Sequence, residues 1–186
     1  YSLLSNFIII SSIFLIINSL NDTIRLFKNK DFNFSRVISH TAFGFLILFI
    51  GLNYNFSLEK DFNLKIGEVK KFENYSIKFE DLQLKDIKNY KAVIGIFRIN
   101  NLRNNSEQLL KPEIRIYKNP STLTYEASIR SGLLKDYYIT MSNIDRSDYY
   151  NIKFQKKPFM LWIWISVIFI SLGGFLRLFK NENKNY

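Results

Sequence analysis

The sequence predicts an integral membrane protein with three transmembrane α-helices and a small extracytoplasmic all-β domain between the second and third helices. Three segments without Asp, Glu, Lys or Arg are long enough to cross a bilayer, which takes about 20 mostly apolar residues. They are residues 1–21, 37–58 and 159–176. The polar region between the last two segments has runs of alternating apolar and polar residues, a pattern typical of strands.

The distribution of basic residues predicts the orientation in the membrane. Short loops rich in Lys and Arg stay on the cytoplasmic side. Basic residues crowd the short loop after the first helix and the tail after the third, namely Arg25, Lys28, Lys30, Arg36, Arg177, Lys180 and Lys184. Trp162 and Trp164 at the start of the third helix fit an interfacial aromatic belt. We therefore predict helix 1 at 1–21, a cytoplasmic loop at 22–36, helix 2 at 37–58, the β domain at 59–157, helix 3 at 158–176 and a cytoplasmic tail at 177–186.

The middle region is predicted to fold as a small β-sandwich or open barrel. Tyr75, Ile77 and Phe79 alternate with polar residues, and residues 91–99 are rich in β-branched and aromatic side chains. Further candidate strands are Glu113–Tyr117, 136–141 and 149–154. Turn-forming residues separate these runs, so we expect five or six short strands and no long helix.

Composition and the N-terminal segment exclude several classes of protein. The 186 residues contain no cysteine, which rules out disulfides and thiolate chemistry within the chain. The net charge of the whole chain is +10. In the middle region the basic residues are intermixed with acidic ones and form no basic patch, so nucleic-acid binding is not expected. The first apolar segment lacks the basic start and cleavage site of a signal peptide. We expect it to be a transmembrane helix in a piece of a longer protein.

His40 is the only histidine, and it lies early in the second apolar segment. A titratable side chain in hydrocarbon is costly and usually functional. One interpretation is an axial ligand to haem iron, with Phe43, Phe45 and neighbouring helices as walls around the apolar macrocycle. The other is a histidine at the headgroup boundary that reaches the membrane surface. Residue type alone leaves both open.

Other conspicuous residues have structural explanations. Gly44 and Gly51 share a helix face, where close helix packing is favoured over contact with a flat cofactor. The middle region has no histidine and therefore no base for a nucleophilic triad, so no catalytic residue is predicted. A cluster of polar residues in that region is interpreted as a half-buried hydrogen-bond network. It comprises Arg115, Tyr117, Thr124, Glu126 and Arg130.

Three ordered motifs resemble the C-terminal region of the CcmF family, the cytochrome c-type biogenesis proteins that act as haem lyases. VISHTAFGFLILFIG at 37–51 resembles that family's His-containing helix, although Ser39 and Thr41 flank the histidine where Ala and Leu are usual. KPFMLWIWISVIFISLGG at 157–174 resembles its closing helix. The R-x-Y and T-x-E-A-x-I-x-x-G-x-x-x-D-x-Y pattern falls on Arg115, Tyr117, Thr124, Glu126, Ala127, Ile129, Gly132, Asp136 and Tyr138.

The resemblance implies the C-terminal part of a haem lyase, corresponding to the last quarter to third of a full-length member. Such proteins take haem from a haem chaperone and attach it to the Cys-x-x-Cys-His motif of apocytochrome c, together with the subunits that reduce or hold that motif. They also bind haem b within the membrane, and the resemblance makes His40 one axial ligand. The second ligand and the Trp-rich haem-handling motif belong to the upstream part.

The resemblance also implies location and role. It places the chain in the bacterial inner membrane with its β domain in the periplasm; the mitochondrial inner membrane is the alternative. The β domain would dock partners, and the chain alone is not expected to be catalytic. Arg115, Tyr117, Thr124, Glu126 and Asp136 match the family motif without an assigned role. The competing interpretation is a non-enzymatic interaction module, a β domain held by membrane helices.

Overall fold

The computed structural model describes residues 3–28, 34–144 and 147–182, which form two compact units. The helical unit comprises Tyr1–Ser57, Gly132–Lys135 and Lys157–Tyr186, and the β-sandwich unit comprises Leu58–Ser131 and Asp136–Lys156. Lys30 and Lys184, two of the basic residues used to predict topology, lie outside the described residues.

Three long apolar helices confirm the predicted membrane architecture. They are α1 at Leu3–Lys28, α2 at Phe34–Phe56 and α3 at Met160–Glu182. Each contains a stretch long and apolar enough to cross a bilayer, at Leu3–Arg25, Phe34–Phe56 and Met160–Leu178. Helix α1 continues past residue 21 and α2 begins before residue 37, so the connection is shorter than the predicted loop. The apolar run marks the hydrocarbon core, whereas the backbone hydrogen bonds of a helix continue into the polar headgroup layer.

Helix α2 packs against α1 through its two glycines. A Cβ atom on Gly44 would lie 2.7 Å from Cγ1 of Ile16, and one on Gly51 would lie 3.0 Å from Cγ1 of Ile9. Small residues at a membrane helix interface let the two backbones approach closely. A hydrogen bond of 2.8 Å between the hydroxyls of Ser19 and Thr41 adds a polar link between α1 and α2. The glycine face of α2 is therefore occupied by a helix.

Helix α3 packs on a second face of α2. The Ser35 hydroxyl donates a 2.6 Å hydrogen bond to the carbonyl oxygen of Gly173. A Cβ atom on Gly173 would lie 2.9 Å from the backbone nitrogen of Ser39, while Gly174 has open space. Nearer the other end of the pair, the Phe49 ring lies 5.8 Å from the Trp162 ring, centroid to centroid. Gly173 thus lies at a close backbone contact between α2 and α3.

The β-sandwich unit contains ten strands among its described residues, arranged in two sheets. They are β1 at Leu58–Leu64, β2 at Val69–Phe72, β3 at Tyr75–Ile87, β4 at Tyr90–Asn101, β5 at Ser106–Leu110, β6 at Glu113–Tyr117, β7 at Leu123–Glu126, β8 at Ser128–Arg130, β9 at Lys135–Asn143 and β10 at Tyr150–Pro158. One sheet has the order β1-β10-β9-β8, and the other has the order β2-β3-β4-β6-β7 with β5 also paired to β4. The neighbouring strands whose register is recorded are antiparallel.

The core of the sandwich is aromatic and drawn from both sheets. Phe79 and Phe97 are fully buried neighbours on β3 and β4, and their stacked rings lie 4.4 Å apart between centroids. Phe154 on β10 packs against Tyr75 on β3, with ring centroids 5.4 Å apart. The Tyr75 hydroxyl lies 3.5 Å from that of Tyr137, and burial raises its pKa above the ordinary value of 10.0. This core confirms the predicted all-β class.

The strand count exceeds the five or six that the alternation pattern indicated. The predicted strands all form, within β3, β4, β6, β9 and β10. Five additional strands, most of them short or exposed, form as well: β1, β2, β5, β7 and β8. In β2, for example, three residues are exposed and one is half-buried. A strand without a buried face shows no clear alternation, because its pairing partner rather than its side chains holds it in the sheet.

Candidate functional site

His40 lies on an exposed face of α2 that neither α1 nor α3 covers. An α-helix turns about 100° per residue, so Gly44 and Gly51, which contact α1, fall on a different side from Ser35 and Ser39, which contact α3. His40 is exposed beside the glycine side, about 40° in helix angle from Gly44, and it turns away from Ser35 and Ser39. Its imidazole is therefore accessible from outside the three-helix arrangement.

The residues that share this face are apolar or aromatic. Spacings of three and four residues place Phe43, Ile47, Ile50 and Tyr54 above His40 along the helix. Phe43 is 50% exposed, Ile50 is 46% exposed and Tyr54 is 65% exposed. A long apolar stripe with one imidazole near its end is suited to a flat apolar ligand or to another helix.

The opposite side of α2 faces a cavity of about 440 Å³ among the three helices. Its lining is Leu20, Thr23, Val37, Ile38, Thr41, Ala42, Phe45, Phe49, Trp162, Ile165, Ser166 and Phe169. Phe45 is part of this lining, whereas Phe43 and His40 are not. The two phenylalanines that the sequence suggested as walls of one haem site therefore lie on different faces of α2, because they are two residues, about 200°, apart.

The exposed face around His40 fits one half of a haem site. Its imidazole supplies a nitrogen donor of the type that commonly ligates haem iron. Phe43 and Ile47 supply apolar surface within one or two turns of that donor. The described residues contain no group of three or more His, Asp or Glu side chains that could hold a metal ion on their own. A second axial ligand would have to come from another part of the protein.

The polar cluster predicted in the middle region forms on the outer face of the six-stranded sheet. The Arg115 Nε donates a 2.8 Å hydrogen bond to Glu113, and its Nη1 lies 4.0 Å from Glu126 Oε1. The guanidinium carbon is 5.0 Å from the centre of the Tyr90 ring. The bond to Glu113 and then one to Tyr117 raise the pKa of Arg115, which stays cationic. Arg115 and its partners therefore form a half-buried network whose charged and aromatic groups contact one another.

Arg130 of the predicted polar cluster and Asp136 of the family motif lie apart from this network. Thr124 joins it by donating a 3.0 Å bond to Glu126, but Arg130 lies exposed on β8 in the other sheet. Asp136 is buried on β9, where it accepts a 3.4 Å hydrogen bond from the Tyr138 hydroxyl. Burial and the charge of Asp136 raise the pKa of Tyr138. The motif thus combines two structural clusters rather than one active site.

The sequence pattern did not predict a charged cluster formed by Arg98, Glu80 and Glu107. Arg98 donates a 2.5 Å hydrogen bond from Nε to Glu80 and another from Nη1 to Glu107. These bonds link β3, β4 and β5. The bond from Arg98 lowers the pKa of Glu80. The pairing of β4 with β5 brings Arg98 next to Glu107. The register of this strand pair cannot be predicted from the sequence pattern alone. Like the Arg115 network, this cluster is satisfied and structural.

Comparisons with known proteins agree on one family. A family model described as the CcmF C-terminal beta-sandwich matches residues 55–158. The chain is 30% identical over 149 residues to the cytochrome c-type biogenesis protein CcmF of Haemophilus influenzae, covering 78% of this chain and 22% of that protein. It is 28% identical over 146 residues to CcmF of Escherichia coli, covering 77% and 22%. A solved structure titled Cytochrome c Heme Lyase CcmF matches with a TM-score of 0.66 at 15% identity, covering 93% of this chain and 30% of that one.

The three apolar helices and the inserted sandwich define a membrane protein with a β domain between its second and third spans. With the family match over the sandwich, the chain belongs to the CcmF family of cytochrome c-type biogenesis proteins. It spans 22% of the length of the first two curated relatives and corresponds to their C-terminal region. The predicted family resemblance is thereby confirmed.

Proposed function

We propose that this chain forms the C-terminal part of a membrane-bound cytochrome c haem lyase and that His40 provides one axial ligand to a haem b. A histidine of the upstream part would provide the other. The observation that carries the proposal is the exposure of the only imidazole of the chain on an apolar helix face.

The residues around His40 have distinct tasks in this proposal. An imidazole nitrogen of His40 would hold the iron. Phe43 and Ile47 would supply apolar surface against the macrocycle. When bound, the haem supplies a one-electron redox centre. The glycine and serine contacts of α2 with α1 and α3 hold the His40 face outward toward the upstream part.

The β-sandwich unit serves as a docking domain rather than a catalyst in this proposal. Its Arg115 and Arg98 clusters are paired internally, and its described residues contain no histidine. Docked partners would be the haem chaperone and apocytochrome c with the subunits that reduce or hold its Cys-x-x-Cys-His motif. The basic residues Arg25, Lys28 and Arg36 favour a cytoplasmic connection between α1 and α2, so in this proposal the sandwich faces the periplasm of a bacterial inner membrane.

Haem content of the assembled protein tests the ligand role. The chain is co-expressed with the upstream part of a CcmF protein, purified, and examined by absorbance as wild type, His40→Gly and Tyr54→Ala. Tyr54 is the matched control, since it lies exposed on the same face at the other end of α2. We expect the haem b absorbance to be lost or shifted in His40→Gly and to be retained in Tyr54→Ala.

Exogenous imidazole sharpens the same experiment. A free imidazole can occupy the space left by His40→Gly and restore an axial nitrogen, so we expect it to recover the wild-type spectrum. An unchanged haem b spectrum in His40→Gly would refute the ligand role. A wild-type complex with no Soret absorbance would instead support the interaction-module interpretation, in which the helices only anchor the β domain.

A further inference from the structure

The segment Gly132–Lys135 belongs to the helical unit although it connects two strands of the sandwich. The backbone nitrogen of Phe159 donates a 2.9 Å hydrogen bond to the carbonyl oxygen of Leu134. The indole Nε1 of Trp162 donates a 2.9 Å hydrogen bond to the carbonyl oxygen of Leu133. Two successive carbonyl oxygens are therefore hydrogen-bonded at the start of α3, one to Phe159 just before the helix and one to Trp162 in its first turn.

The backbone on both sides of these bonds is specialised. A Cβ atom on Gly132 would lie 2.9 Å from the carbonyl oxygen of Lys135, so the tight turn requires glycine there. Phe159 adopts a positive φ of 61°, a conformation that bulky residues rarely adopt. Its backbone nitrogen is used by Leu134, and its ring packs 5.8 Å from that of Phe49. The loop geometry is thus fixed by specific contacts.

The side chains of the loop point away from these contacts. Leu133 is 64% exposed and Leu134 is 59% exposed, although their carbonyl oxygens are bonded to α3. An exposed pair of leucines on a fastened loop is unfavourable in water. Transfer of their apolar surface from water into a neighbouring apolar phase stabilises them.

The hydrogen bonds also set the depth of the loop relative to the membrane. The candidate span of α3 begins at Met160, between the two residues that bind the loop. Trp164, one turn further, is 62% exposed, as expected for a residue of the interfacial aromatic belt. A bilayer that α3 enters at Met160 would therefore have Leu133 and Leu134 at the level where its headgroups meet the acyl chains. Lys135 and Lys157 are at the same end of the span, where cationic side chains meet lipid phosphates.

From these contacts we infer that Gly132–Lys135 is a membrane-docking loop, in which Leu133 and Leu134 insert into the interfacial layer of the leaflet where α3 begins. Its occupant is phospholipid, with acyl chains against the leucines and headgroups beside the lysines. The inference does not depend on haem binding or on which side of the membrane the sandwich lies. It gives the glycine of the G-x-x-x-D family pattern a physical role, the turn that presents the two leucines.

Site-directed fluorescence tests the loop in the assembled protein. The chain contains no cysteine, so Leu133→Cys, Leu134→Cys and a reference variant, Ile168→Cys, can each carry a single environment-sensitive NBD label. Ile168 is 57% exposed within the α3 span and reports the hydrocarbon core. The labelled chain is co-expressed with the upstream CcmF part and placed in nanodiscs of phosphatidylethanolamine and phosphatidylglycerol. Nitroxide-labelled lipids carry the quencher either near the headgroup or deep in the acyl chain.

The inference predicts blue-shifted emission at Leu133 and Leu134 with the greatest loss of intensity from the shallow nitroxide. The label at Ile168 should instead be quenched best by the deep nitroxide. Emission typical of water with quenching by iodide at both leucines would overturn the inference. Blue-shifted emission without quenching by either nitroxide would also overturn it, because protein rather than lipid would then cover the loop. Circular dichroism of each variant checks that the labelled chain is folded.

Discussion

Single atoms decide the packing of the helical unit at several positions. Gly173 and Gly174 are adjacent and chemically identical, yet only Gly173 faces the α2 backbone. Because backbone atoms of Ser39 and Ser35 stand opposite it, a clash there cannot be relieved by rotating a side chain. The same logic applies to His40, whose environment follows from its angular position on α2 rather than from its neighbours in the sequence.

We predict that Gly173→Ala destabilises the helical unit and Gly174→Ala does not. Overpacking at a close backbone contact costs roughly 1–3 kcal/mol. At Gly174, open space removes that cost, and alanine is the better helix former by roughly 0.5–1 kcal/mol. Thermal unfolding of the helical circular dichroism signal in detergent micelles measures both variants. Equal midpoints for the two would contradict the packing of α3 on α2.

At the scale of elements, α2 is the helix that organises the site. One of its faces is occupied by α1 and another by α3, and the exposed surface left between them carries Phe43, with His40 at its edge beside Gly44. Phe45 points to the cavity on the far side and stacks with Phe49, with ring centroids 6.0 Å apart. Two phenylalanines on one helix therefore have different environments, which makes them a matched pair for testing the haem proposal.

Phe43→Ala should weaken haem retention in the assembled protein, while Phe45→Ala should leave it unchanged. Only Phe43 shares the face of His40, one turn away, where its ring would shield a bound macrocycle. We expect haem loss to a scavenger apoprotein to be about tenfold faster in Phe43→Ala, a change of about 1.4 kcal/mol. The rate of absorbance change after mixing gives this value. If Phe45→Ala had the larger effect, the haem would lie on the cavity side of α2.

At the scale of the whole molecule, the chain is divided into two units with different sources of stability. The β-sandwich unit buries an aromatic core in which Phe79, Phe97 and Phe154 are fully enclosed. The helical unit buries few residues, because lipid rather than protein surrounds most of its apolar surface. In the apolar stretches of α1, α2 and α3, only 17%, 17% and 11% of the residues are buried. Hydrophobic burial in water therefore stabilises the sandwich, whereas close packing and interhelical hydrogen bonds hold the helices together.

Phe97→Ala should destabilise the sandwich without unfolding the helices. Removing a fully buried phenylalanine costs roughly 3–5 kcal/mol. Leu84→Ala is the control, since Leu84 is 79% exposed and its loss should change stability by less than about 0.5 kcal/mol. Urea titration in detergent, followed by tyrosine fluorescence for the sandwich and by helical circular dichroism for the spans, separates the two units. A parallel loss of both signals in Phe97→Ala would show that they unfold together.

The sequence by itself determined the three apolar spans, the all-β middle region and the family. These features rest on local runs and alternation, as in residues 91–99, or on motif spacing, as from Arg115 to Tyr138. It also singled out His40, which is the only histidine. The strands β2, β7 and β8 escaped prediction because they are short and lack a buried face, so apolar–polar alternation gives no clear signal in them.

Only the tertiary structure decided what surrounds each of these residues. It separated Phe43 from Phe45, distinguished Gly173 from Gly174, and placed Gly132–Lys135 with the helices instead of the sandwich. The physical reason is that packing and hydrogen bonds between distant segments depend on helix rotation and strand register. Those are fixed by the sum of many contacts across the fold, such as the bond from Trp162 to Leu133, which no local pattern encodes.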